Sequence, residues 1–264
     1  MLVEKKSAEL ITPESFKLKL LLISQPGGGK TTWAAESPAP GFAACETGHG
    51  KGLLSVAHKN VSYVEPTSLS DFETISSGGV FKDRETIVID SLSEMTKTFV
   101  KEAALKIPRT KGNSPKRSIG IPELDDYGSM GELTRRLLNR LLEQPKHIIV
   151  TALMRIKTPD AETGKGEYQI GPDLPGALFD ASPAMFDFVW FIKTRSVLKD
   201  PKDAKSRTTQ RVLLTQPDGV HIAKSRATAS GKQILPGEIV IDRETGEGMF
   251  ADVFGKILTG LRPA

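Results

Sequence analysis

Between Phe16 and Thr32 the chain reads FKLKLLLISQPGGGKTT. It alternates and then turns continuously apolar, as a strand entering a buried sheet does. Gly27-Gly28-Gly29 stops that strand, and Lys30 to Glu36 starts a short helix. In the phosphate-loop pattern G-x-x-x-x-G-K-[ST], Gly29, Lys30 and Thr31 match, while Ser24 stands at the first position. The glycines have a chemical reason. Backbone without side chains can wrap phosphates and aim its N–H groups at them, at a positive helix end. The nucleotide-binding residues expected are Gln25, Pro26, Gly27, Gly28, Gly29, Lys30, Thr31 and Thr32. Lys30 should reach the β- and γ-phosphates of ATP, Thr31 should ligate Mg2+, and Thr32 should lie over the α-phosphate.

Downstream, strand-like and helix-like stretches alternate. Strands are expected at 42–45, 61–65, 86–90, 147–152 and 186–192, with helices at 91–106 and 129–143. In the latter helix the leucines at 133, 137, 138, 141 and 142 fall on one side. Residues 211–215 and 220–224 read as a hairpin about Pro217-Asp218-Gly219. The expected fold is α/β, a mostly parallel central sheet flanked by helices and finished by a C-terminal antiparallel hairpin. The organisation expected is an N-terminal arm (1–15), a core (16–232) and a C-terminal tail (233–264). In that tail Phe250, Val253, Phe254, Ile257 and Leu258 are spaced as one helix face packing on the core. Residues 107–120, 154–175 and 193–211 resist this scheme and read as long loops, a type that usually carries function or is disordered.

Composition narrows the classes further. Among 264 residues, 36 basic and 32 acidic side chains give a net charge of +4, too weak alone to prove a polyanion partner. One cysteine, Cys45, excludes a disulfide framework and any multi-cysteine zinc site. Met1 to Lys6 leads into no apolar stretch of secretory length, and no run approaches a membrane span, so the expectation is a soluble, cytoplasmic chain with no membrane partner.

Ile87-Val88-Ile89-Asp90 has the form of a Walker B strand, and Asp90 at its tip can hold the magnesium shell through water or Thr31. Glu46, after the second strand, can face the γ-phosphate from the C-terminal edge of the sheet and activate water. Glu94 is the alternative base. At these residues the chain resembles RecA-like recombinases, whose general-base glutamate follows the same strand. The order Asp90-Ser91, helix, basic loop, amphipathic helix, strand and second loop is similar to that family as well. Their γ-phosphate-sensing glutamine is missing here, where Ala152-Leu153 offers no amide, and Thr151 is the nearest polar substitute.

The phrases TIVIDSLSEM, IGPDLP and LLTQPDGVHIAKSR are similar to compact phage-encoded RecA-like ATPases of recombination and single-strand annealing. That resemblance implies action on single-stranded DNA in a bacterial host cytoplasm, with a single-stranded-DNA-binding protein as a further partner. Arg109, Lys111, Lys116 and Arg117 in one loop, with Arg155 and Lys157 opening another, are the candidate DNA contacts. Tyr127 and Tyr168 are the only aromatics there to stack on bases. Lys224 and Arg226 resemble the trans-acting Lys-x-Arg pair of hexameric helicases, which implies a homo-oligomer, ring or filament, with catalytic sites completed between subunits; the alternative is two exposed basic residues at a strand end. A hexameric helicase-type motor, a small-molecule kinase and a nucleotide-gated adaptor with little turnover stand as rival functions.

Overall fold

The computed structural model describes residues 15–46, 51–107, 120–159, 166–198, 206–229 and 231–261. The first strand, β1 (Lys19–Ser24), leads through the glycine loop into α1 (Lys30–Ala34). β2 (Pro40–Ala44), a 3-10 segment (Lys51–Lys59) and β3 (Ser62–Val64) follow, then α2 (Leu69–Ser76) and β4 (Thr86–Asp90). Next come α3 (Leu92–Met95) and α4 (Lys101–Lys106), joined by a π-helical turn (Thr96–Val100), then α5 (Leu124–Glu143). β5 (His147–Lys157), β6 (Gln169–Pro172), α6 (Leu178–Met185), β7 (Phe188–Leu198) and β8 (Arg207–Leu214) complete the main body. The chain ends with β9 (Lys224–Ser225), β10 (Thr228–Ala229), β11 (Lys232–Gln233), β12 (Glu238–Ile241) and α7 (Phe250–Leu261).

The sheet runs β12-β8-β7-β1-β5-β4-β2-β3. β7, β1, β5, β4, β2 and β3 are parallel to one another, and β8 enters antiparallel to both β7 and β12. β1 therefore lies centrally, with helices covering both faces. Alternation along each strand sorts the core into two layers. Leu21 and Ile23 of β1 join Ile87, Ile89, Ile148 and Val150 beneath α2, α3, α4 and α5. Leu20 and Leu22 point the other way, joining Val88, Ile149, Trp190 and Trp33 beneath α1 and α7. Each fully buried leucine of β1 contributes about 2 kcal/mol of transfer free energy, and together they fix the strand from which the glycine loop springs.

Four stretches differ from their sequence reading. Residues 154–157 and 169–172 are not open loop: β5 continues and pairs antiparallel with β6. The described parts of 193–211 form a two-stranded ribbon, β7 with β8, from Lys193↔Val212 out to Leu198↔Arg207. This ribbon is the antiparallel finish of the sheet. Residues 220–224 do not pair with 211–215, since β9 adds to the β7 edge at Phe188 and Val189 instead. Finally, α5 starts at Leu124, five residues earlier than expected, through a capping box between Glu123 and Asp126.

Candidate nucleotide site

The glycine loop closes on itself for a steric reason. Gly27 and Gly29 have φ of +72° and +102°, which side chains of L-residues rarely adopt. Gly28 is required by proximity: a Cβ there would lie 2.3 Å from Ser24 Oγ. Ser24 is thus no defect in the motif. Its hydroxyl fills the space beneath Gly28 and accepts a hydrogen bond from Lys30 Nζ at 3.0 Å. Lys30 Nζ also approaches the carbonyls of Ser24 and Gln25, each at 3.4 Å. Burial lowers the Lys30 pKa, with Asp90 and Glu46 pulling it back up. α1 is only five residues long, so loop amides and the Lys30 charge outweigh any helix dipole.

Thr31 Oγ1 donates to Asp90 Oδ2 at 2.7 Å, and Thr151 Oγ1 donates to Asp90 Oδ1 at 2.5 Å. Asp90 therefore ties the phosphate loop to β5, both of its oxygens held by hydroxyls. The Asp90–Ser91 peptide is cis. A cleft of about 560 Å3 opens above this pair, lined by Lys30, Thr31, Thr32, Asp90, Glu46 and Leu153 among others. That is the size range of small-ligand sites. Glu46 reaches it from the end of β2 and lies against Gly52, where a Cβ would sit 2.9 Å from its Oε2. Burial raises the Glu46 pKa, Asp90 and Glu94 push it the same way, and Lys30 opposes them. Glu94 does not line the cleft. A threonine hydroxyl beside a carboxylate is a hard-oxygen pair that fits Mg2+, which takes one or two protein ligands and completes its shell with phosphate and water. No cluster of three or more His, Cys, Asp or Glu suited to a metal occurs among the described residues.

Two charged lining residues escape sequence reading: Arg211 of β8, and Arg243 just past β12. Both come within 3.6 Å of the Cβ position of Gly29. No local pattern marks either of them. They meet the loop only because β8 and β12 are added at that side of the sheet.

The other candidates lie elsewhere. Lys224 Nζ donates to the Pro183 carbonyl at 2.9 Å, and Arg226 pairs with Asp187 at 2.8 Å. The register Ser225↔Phe188 puts both residues at the N-terminal edge of the sheet, opposite the phosphate loop, so neither serves the site of its own chain. Arg155 donates to the Leu174 carbonyl at 3.1 Å, and Lys157 pairs with Asp180 at 3.1 Å. Both cations sit over the Phe179 ring. Arg109, Lys111, Lys116 and Arg117 lie outside the described residues. Tyr127 and Tyr168 are both exposed. No helix among the described residues is long and apolar enough to cross a membrane.

A glycine loop on the central parallel strand, with its Lys-Thr set against an aspartate at the tip of a second parallel strand, defines a P-loop ATPase of RecA-like architecture. The chain belongs to the AAA domain family AAA_24, whose sequence profile matches residues 17–227. No curated protein matches it by sequence. Among solved structures it is similar to a KaiC-like protein of the hyperthermophilic archaeon Pyrococcus horikoshii OT3, at 14% identity over 88% of each chain with a TM-score of 0.42.

Proposed function

We propose that this ATPase is magnesium-dependent, acts on single-stranded DNA in recombination or annealing, and works as an oligomer. The observation that carries its chemistry is the Thr31–Asp90 pair beneath the glycine loop, with Glu46 at the mouth of the same cleft. The loop amides and Lys30 hold the phosphates. Thr31 and Asp90 would hold Mg2+, which when bound neutralises charge on the phosphate oxygens. Glu46 orients water and takes its proton. Its raised pKa brings it nearer to neutral pH, which favours a general base. The base must be ionised, so turnover is present above the Glu46 pKa and is lost as pH falls through it. The acid limb is therefore expected above the ordinary glutamate value.

The DNA reading rests on the basic run at 107–120, the family resemblance of the loop order, and the β5–β6 hairpin. There Lys157 faces Gln169, next to exposed Tyr168, so cation and aromatic share one end. The Lys157–Asp180 pair is exposed and worth about 0–1 kcal/mol, little enough to yield to a phosphate. The oligomer reading rests on Lys224 and Arg226. The Arg226–Asp187 pair is similarly exposed and free to exchange for a neighbour's nucleotide.

One observation favours a nucleotide-gated adaptor with little turnover: apolar Leu153 lines the cleft where a sensing amide would stand. Steady-state ATP hydrolysis over a protein concentration series separates the readings, measured without DNA, with single strands and with duplex. We expect stimulation by single strands and a rate rising more than linearly with protein. Glu46→Gln should cut turnover by about a hundredfold or more while nucleotide affinity is kept. Rates indifferent to DNA and linear in protein would remove the DNA and oligomer roles. An unchanged rate in Glu46→Gln would favour the adaptor.

A further inference from the structure

Arg211 and Arg243 converge on one side of the glycine loop without a counter-charge. Neither forms an ion pair or a side-chain hydrogen bond among the described residues, and Arg211 Nε is buried with no partner at all. A buried guanidinium N–H left unpaired costs more than a neutral donor would. Two arginines meeting with no carboxylate between them form a place for an anion.

Their position says which part of a nucleotide they face. Asp90 and Glu46 end β4 and β2, on one side of β1, whereas Arg211 and Arg243 come from β8 and β12 on the other. A nucleotide whose γ-phosphate lies toward Asp90 and Glu46 runs its α-phosphate toward the arginines. The backbone carrying each side chain is held by built structure. Arg211 pairs with Thr194 on β7, and Thr194 Oγ1 accepts from Gln25 Nε2 of the loop at 3.1 Å. Ile241 pairs with Arg211 on the far side, and Arg243 follows two residues later. The turn carrying Arg243 is closed by Asp242 Oδ1, which accepts from Glu244 N at 2.8 Å.

We propose that Arg211 and Arg243 form an arginine clamp within the same chain, binding the α-phosphate of the nucleotide from the side opposite Asp90. This rests on the nucleotide-binding reading above and adds to it. The clamp meets a phosphate that does not react, so it strengthens binding of ground state and transition state equally.

The test is to measure dissociation constants for ATP and ADP, together with kcat and KM, in wild type, Arg211→Ala, Arg211→Lys and Arg243→Ala. A clamp on the α-phosphate predicts about tenfold weaker binding of ATP and ADP alike in each alanine variant, a higher KM and unchanged kcat. Arg211→Lys should recover part of the loss. Loss confined to ATP, or a fall in kcat at unchanged affinity, would place the arginines at the γ end and overturn the clamp. Full affinity in both alanine variants would overturn it as well. Arg243 is exposed, so Arg243→Ala decides the matter if Arg211→Ala fails to fold. A wild-type protein that binds neither nucleotide would instead sink the nucleotide-binding reading itself.

Discussion

Ser24 and Gly28 show how one departure from a motif is accommodated by its neighbour. The serine hydroxyl takes the volume that a Cβ at position 28 would need, and at the same time gives Lys30 a buried acceptor. Gly28→Ala must shift the loop, at a cost of about 1–3 kcal/mol, or roughly five- to a hundredfold in ATP affinity. Ser24→Gly in the same chain removes the two nearest clashing atoms, Oγ and Cβ of Ser24. The double variant should therefore bind ATP more tightly than Gly28→Ala alone. Titration of the four proteins with ATP checks this; a double variant no better than the single one would show that the clash is not what makes Gly28 obligatory.

Among the elements, β1, β4 and the first half of β5 are legible in sequence because both faces are buried, which leaves unbroken runs such as TIVID and HIIV. The outer ribbon of β7 and β8 is not legible in the same way. Thr194 to Leu198 and Arg207 to Gln210 are mostly exposed, so no apolar period marks them and the stretch reads as a long loop. The start of α5 is hidden for a related reason, since Leu124 is 87% exposed and the cap is made by acids. The phosphate loop and Asp90 are local signals; Arg211 and Arg243 reach the site only through strand pairing that no local stretch reveals.

The start of β5 carries a titratable link to the C-terminal helix. His147 Nδ1 accepts the Leu18 N–H at 3.1 Å, and the ring packs edge-on against Phe250 and Phe254 of α7. Burial, helped by Lys17 and Lys19, lowers its pKa from 6.5 to about 4. The unfolded chain therefore binds the proton more readily between these values. The His147 contribution to stability is fully present above pH 6.5 and is lost as pH falls toward 4, by at most about 3 kcal/mol. His147→Asn keeps an acceptor for Leu18 but does not titrate. Urea unfolding between pH 7 and pH 4 should show a steep loss in wild type and a shallower one in His147→Asn; equal slopes would mean that this histidine is not the group responsible.

For the molecule as a whole, the sheet separates two chemistries. The phosphate loop, Asp90, Glu46 and the two arginines gather at its C-terminal edge, while Lys224 and Arg226 lie at the N-terminal edge, where only the oligomer proposed above would give them a nucleotide to meet. An ATPase whose turnover needs both edges works poorly when dilute. Arg226→Ala is accordingly expected to lower kcat at high protein concentration, with little change in ATP affinity. The most direct measurement of the central claim is Mg2+-dependent ATP hydrolysis by wild type and Lys30→Ala, with ATP binding followed in parallel. The predicted result is turnover in wild type that disappears without Mg2+ and in Lys30→Ala, with binding weakened in that variant. Turnover that persists at the wild-type rate in Lys30→Ala would contradict the assignment of the cleft.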